Sequence, residues 1–316
     1  MQSLADKMEM RECYGQALVE AGRENEKIVV LEADLRKSTM GELFRQEFPE
    51  RLFEVGIAEQ NMIGMAAGFA LTGWTAVANS FAVFASGRAF EQIRQSIALP
   101  RLNVKIGGSS GGLTDTGDGA THQSIADLAI MRSLPNMTVL CPADGIETKQ
   151  AVQAMLELDG PVYIRIGRIE APTLYDEDYK FELGKIVVMR PGEDVTLAAA
   201  GTMVGVALEA AKLLAKDGID ARVLNVHTLK PLDEGAILAA ARETAGIVTV
   251  EEHNIIGGLG SAVAEVVSAA GGGPVVRVGV ADVFGQSSNC YEELLAAYGL
   301  TPENVRSKAR SLLQKK

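Results

Sequence analysis

The fold class expected from this chain is α/β: two three-layer α/β domains with mostly parallel sheets. Three observations carry it. Short β-rich runs alternate with helical patterns of roughly 10 to 15 residues, as βαβ units require. A polar stretch bearing Pro and Tyr, residues 167–184, separates two such series. The chain, at 316 residues, is too long for one ordinary core.

In the first series, strands are expected at Lys27–Leu31, Thr75–Ala78, Asn103–Ile106, Thr138–Cys141 and Pro161–Arg165. Helical patterns cover Met10–Asn25, Gln60–Thr72 and Ser86–Ala98. Helices on both faces of a parallel sheet follow from that alternation. Arg168 to Tyr179 reads as a linker. Beyond it come strands at Val195–Ala199, Ala221–Asn225, Ile247–Glu251 and Val275–Gly279, with helices at Val204–Asp217, Asp233–Thr244 and Gly258–Ala269. The expected division is 1–168, linker 169–184, and 185–316.

Composition narrows the function classes. A net charge of −11 disfavours nucleic acid and anionic membrane as partners. No apolar run approaches the roughly 20 residues of a membrane-spanning helix, and Met1–Met10 mixes charges of both signs without an apolar core, unlike a secretory signal. A cytoplasmic location is the expectation. Cys13, Cys141 and Cys290 lie far apart, which argues against a zinc site or a disulfide framework.

Glu59 stands where an apolar strand becomes a small-residue helix, in Glu54-Val-Gly-Ile-Ala-Glu-Gln-Asn-Met62. Alone it reads equally as a surface or capping carboxylate. Flanked by Ile57, Ala58, Met62 and Ile63, it should be partly desolvated and so hold a proton more tightly. Gly64-Met-Ala-Ala-Gly68 would let another backbone approach closely, and Asn79 to Arg88 follows with Phe81 and Phe84 at a spacing that suits either a pocket wall or plain core. These stretches together resemble the pyrimidine-binding domain of thiamine diphosphate enzymes, and among them the C-terminal half of a transketolase.

The resemblance covers nearly the whole chain and implies roles for individual residues. Glu59 matches the glutamate that hydrogen-bonds N1′ of the aminopyrimidine, promoting the tautomer that removes the thiazolium C2 proton. Phe84, with Phe81 beside it, matches the aromatic face on which that ring stacks; the role of Arg88 is left open. Thr114 to Gln123 resembles the transketolase substrate loop, with Asp118 and His122 facing sugar hydroxyls. The Gly117-Asp118-Gly119 within it mimics a magnesium motif, but Asn136 follows too early for the second ligand, so no metal site is expected here. Arg11, Ser38 and Arg168 match phosphate-holding residues, for which forked guanidinium donors are suited. Asp34 aligns with an acid near substrate and cofactor. Ser109-Ser110 stands where Ser-His is usual, which fits a ketose other than an ordinary pentose phosphate.

What the resemblance implies as a whole is a subunit of a thiamine diphosphate-dependent transketolase that moves a two-carbon ketol unit from a ketose, phosphorylated on this reading, to an aldose. Magnesium and the diphosphate would be bound mainly by a separate N-terminal subunit, giving an α2β2 assembly. The rivals are the β subunit of a 2-oxo acid dehydrogenase, a single-chain deoxyxylulose phosphate synthase, and a non-catalytic regulatory module. In the second domain, Ile255 to Ser261 is a glycine-rich turn before a helix, suited to an anion or to tight packing. Glu251 and His253 are candidate interface residues and His227 a structural one.

Overall fold

The apolar runs of the first half become central strands because both faces of their sheet are covered. Every residue of Ile28–Glu32 and of Thr75–Phe81 is buried, the continuous pattern that a two-sided parallel sheet imposes. In this computed structural model, which describes residues 7–314, the strands in chain order are β1 (Lys7–Glu9), β2 (Ile28–Glu32), β3 (Leu52–Glu54), β4 (Thr75–Phe81), β5 (Val104–Ser109), β6 (Thr138–Leu140) and β7 (Val162–Arg165). They continue as β8 (Glu170–Pro172), β9 (Val187–Arg190), β10 (Val195–Ala199), β11 (Ala221–Asn225), β12 (Thr228–Lys230), β13 (Ile247–Asn254) and β14 (Val275–Val280). Most of the stretch read as lacking a secretory signal, 1–6, lies outside the described residues, as do 315–316 of the second expected domain.

The larger sheet has the order β12-β6-β7-β5-β4-β2-β3, parallel except for β12. The smaller runs β14-β13-β10-β11-β9, parallel except for β9. Two departures from the sequence expectation bind the halves together. β12 comes from the second half of the chain yet hydrogen-bonds β6 of the first sheet. Three residues, Thr228–Lys230, carry no periodicity that could have announced this. The stretch read as a linker is pinned as well: β8 pairs antiparallel with β1, and the Asp144 carboxylate accepts from Leu174 N at 2.7 Å and Tyr175 N at 3.0 Å. The same side chain caps the helix Gly145–Glu157 through Glu147 N.

One apolar cluster runs unbroken from Met62, Ile63 and Ile93 through Leu128 to Ala198, Leu224 and Leu259. The helical stretch expected at Ser86–Ala98 starts earlier, at Ala82, and contains two wider π-type stretches, Phe84–Arg88 and Ile93–Ala98. Such stretches are frequent at functional sites. No helix among the described residues is long and apolar enough to cross a membrane.

Candidate active site at the carboxyl edge of the parallel sheet

Strands β2, β4, β5 and β7 are parallel neighbours, so their carboxyl ends open on one edge, the usual place for a ligand in an open α/β sheet. Asp34, Phe81, Ser110 and Arg168 follow from, or end, these strands. Several strands run further than their apolar text suggested; β4 continues through Asn79 and Ser80 to Phe81, and β5 through two glycines to Ser109.

Glu59 opens the helix Glu59–Leu71 and is 1% exposed. Oε1 accepts from Arg88 Nη1 at 2.7 Å, while the buried Oε2 has no hydrogen-bond partner. Of the apolar neighbours expected to desolvate the carboxylate, Met62 and Ile63 are at 0% exposure, whereas Ile57 is 76% exposed. Arg88 spans the site, its guanidinium carbon lying 4.6 Å from the Phe84 ring centroid.

From Phe84 the contacts continue. Phe81 and Phe84 stack with centroids 6.1 Å apart and planes 16° from parallel. His122 presents its edge to both, at 6.1 and 5.2 Å. Arg168 lies 5.8 Å from the Phe81 centroid and donates to Asp115 Oδ2 at 2.8 Å, with Asp118 Oδ2 farther off at 3.9 Å. Glu59, Arg88, Phe84, Phe81, His122, Arg168 and Asp118 thus form one connected group.

Arg11, Ser38 and Asp34 form a second group at the end of β2. Arg11 is already engaged, pairing with Glu9 and donating to the Ser38 carbonyl at 3.2 Å; in that contact Ser38 offers its backbone, not its hydroxyl. Asp34 adopts φ +61°, and its N–H donates to Glu54 Oε1 at 2.6 Å. Ser110 is fully buried at φ +55° with an unpartnered hydroxyl.

Three acting groups escaped the sequence reading. Asp115, rather than Asp118, is the nearer partner of Arg168. The link from Arg88 to Glu59 spans 29 positions and has no local signal. Glu32, at the end of β2, is 0% exposed, and its Oε1 accepts from Thr39 at 2.8 Å and Asn79 at 3.0 Å. Burial pushes its carboxyl up to about 8, against the pull of those hydrogen bonds.

The glycine-rich turn of the second half holds no free anion site. Glu251 takes its leading N–H groups, from Leu259 at 2.6 Å and Gly260 at 2.8 Å. A Cβ on Gly258 would stand 2.0 Å from Glu251 Oε2, so the glycine serves tight packing. His253 Nε2 accepts from Ala129 N at 3.3 Å, which leaves Nδ1 to donate to the Asn254 carbonyl at 2.6 Å. Burial pushes His253 and His227 down to about 4. His227 packs on Phe181 with centroids 4.3 Å apart.

The fold is that of an α/β protein with a ligand-sized edge on its parallel sheet, where a buried acid with one unpartnered oxygen, an aromatic pair and a polar loop come together. Residues 6–173 match the transketolase pyrimidine-binding domain and 184–305 the transketolase C-terminal domain. The chain belongs to the transketolase family.

It is 46% identical over 97% of its length to a chain from Methanocaldococcus jannaschii that is provisionally named a transketolase C-terminal section, covering 96% of that chain. It is 43% identical to the 6-deoxy-6-sulfo-D-fructose transketolase subunit SqwH of a Clostridium species, with 97% of this chain and 95% of that one covered. The solved structure of a split-gene transketolase in an inactive β4 tetramer superposes with a TM-score of 0.88 at 50% identity, covering 96% of this chain and 98% of that one. Against human transketolase the identity is 38% over 99% of this chain, which spans 50% of that protein.

Proposed function

We propose that this chain is the C-terminal subunit of a thiamine diphosphate-dependent transketolase, in which residues 1–168 hold the aminopyrimidine, 169–184 connect, and 185–316 form the C-terminal domain. The observation that carries the reading is the unpartnered Oε2 of Glu59, buried at the head of its helix beside Phe84. A buried carboxylate oxygen without a partner is costly, and a protonated ring nitrogen of the aminopyrimidine would satisfy it. The residues present therefore fit that half of the cofactor, and Phe84 with Phe81 would supply its stacking face. Magnesium and the diphosphate fall to a separate N-terminal subunit on this reading, in an α2β2 assembly. Thiamine diphosphate, when bound, supplies a carbon nucleophile and electron sink for cleaving the ketose between C2 and C3.

This chain's own residues do the rest. Glu59 shares a proton at Oε2 with the ring nitrogen, and Arg88 fixes the other oxygen so that only one is available. His122 and Asp118 line the side from which a sugar enters and hydrogen-bond its hydroxyls. Arg168 turns its remaining N–H groups to a phosphate or other anionic end, with Arg11 and Ser38 at the neighbouring β2 edge and Asp34 beside them. Ser110, where the family usually has histidine, changes the donor set and points to a ketose outside the ordinary pentose phosphates. Two relatives support that direction: the sulfofructose transketolase chain, and a subunit of the apulose-4-phosphate transketolase from Phocaeicola vulgatus, 38% identical over 96% of this chain and 97% of that one.

The test is a two-carbon transfer assay with thiamine diphosphate and magnesium over a panel of phosphorylated, sulfonated and branched ketoses. Activity is expected only when this chain is mixed with its diphosphate-domain partner. Full turnover by the single purified chain would sink the two-subunit reading, and inactivity of an assembled, cofactor-loaded mixture on every ketose would sink the transfer reading.

A further inference from the structure

Asp118 and His122 sit on a loop, 112–125, that the second half of the chain grips at several points. Glu252 Oε1 accepts from Leu113 N at 2.6 Å. Ser288 N donates to the Thr116 carbonyl at 2.9 Å, and Asn254 N to the Ile125 carbonyl at 2.8 Å. Gln123, 4% exposed, reaches both ways, its Nε2 donating to the Asp115 carbonyl at 3.1 Å and to the Gln286 carbonyl at 3.0 Å. Gly119, at φ +69°, lies flat on Ser287, where a Cβ would stand 2.3 Å from the hydroxyl oxygen. A Cβ on Gly285 would stand 1.7 Å from Gln123 Oε1, so glycine is what admits this amide.

We infer that Gln123 and the segment Gly285–Ser288 are positioning residues: they set the placement of Asp118 near Arg168 and of His122 against the Phe81 and Phe84 rings. The second domain thereby shapes sugar recognition without touching the sugar. Gln123 adjoins His122 in the chain, and its buried amide ties the loop to itself and to the second half at once. Beyond its packing on Phe81 and Phe84, the half-buried His122 ring has one hydrogen bond among the described residues, Nδ1 to the neighbouring Thr121 hydroxyl at 2.9 Å. The sugar-facing part of this inference rests on the transketolase reading; the placement of His122 does not.

The chain has three histidines; His227 and His253 are buried, His227 against Phe181 and His253 between Glu252 and Asn254, which hold the loop. With ring-labelled histidine, NMR of the full chain reports His122 through the ring currents of Phe81 and Phe84, and His227 reports folding. In Gln123→Leu and in Gly285→Ala the His122 resonances are expected to move toward those of an unstructured histidine while those of His227 hold. In the assembled enzyme the ketose KM is expected to rise about tenfold, the size of one misplaced hydrogen bond, with kcat within about twofold. Unmoved His122 resonances in both folded variants would overturn the inference, as would a fall in kcat with KM unchanged. If the assembled enzyme transfers no two-carbon unit at all, the functional reading fails while the histidine resonances still decide the placement.

Discussion

Arg88 donates to one oxygen of Glu59 at 2.7 Å and leaves the other without a partner. Arg88 is half-exposed and Glu59 is buried, so the arginine reaches in from the surface and neutralises a carboxylate that burial alone would disfavour. The two oxygens therefore differ: one is fixed by Arg88 and the other has no partner.

Glu59→Gln should fold and assemble, since an amide fills the same space and still accepts from Arg88. On the proposed reading it loses transfer activity by about 10² to 10⁴, the usual worth of a positioned acid or base. Near-normal turnover in a variant that still binds thiamine diphosphate would remove Glu59 from this role.

Arg168→Met tests the anion end of the substrate. Its partners Asp115 and Asp118 remain, so the pocket becomes more acidic as it loses its fork. The KM for a phosphorylated or sulfonated ketose should rise about tenfold to a hundredfold, in keeping with hydrogen bonds to charged groups. The KM for an uncharged ketose should change little; an equal rise for both would show that Arg168 serves the loop and not the substrate.

Glu32 makes stability depend on pH in a direction opposite to that of a salt-bridged acid. Desolvation by burial raises its carboxyl from 4.5 to about 8 in the folded chain, with Asn79 and Thr39 pulling the other way. Between those values the folded chain keeps a proton that the unfolded chain has released, so this contribution is full below about 4.5 and is lost as pH rises toward about 8. Glu32→Gln lacks the dependence. Thermal unfolding from about pH 5 to about pH 8 should show the variant gaining on the wild type; a constant gap would place the charge on Glu32 at neutral pH.

Gly107→Ala should destabilise the chain without touching the polar loop. The added Cβ would stand 2.3 Å from the Tyr14 hydroxyl and 2.4 Å from Asn79 Oδ1, two buried groups joined by a 2.7 Å hydrogen bond. Overpacking of this kind costs about 1 to 3 kcal/mol and should lower Tm by several degrees; an unchanged Tm would mean that Tyr14 moves aside freely.

Nine of the strands, six helical stretches and the closeness of Phe81 and Phe84 were legible locally. Apolar alternation and short motifs are properties of neighbouring residues, and burial on both sheet faces writes itself into continuous runs such as Ile28–Leu31. The polar carboxyl ends of β4 and β5 were not legible, because the edge of a sheet that faces a site carries Asn, Ser and Gly instead of an apolar pattern.

By itself, then, the sequence determined the α/β class, two series of strands and helices, and the family to which they belong. Tertiary structure alone decided that Arg88 pairs with Glu59, that Asp115 stands before Asp118 at Arg168, that β12 crosses into the first sheet, and that Glu251 fills the glycine-rich turn. Each joins residues distant in the chain or chooses between like-charged neighbours a few positions apart. Such choices follow from the direction in which a packed backbone aims a side chain, and no local pattern of residue types encodes that direction.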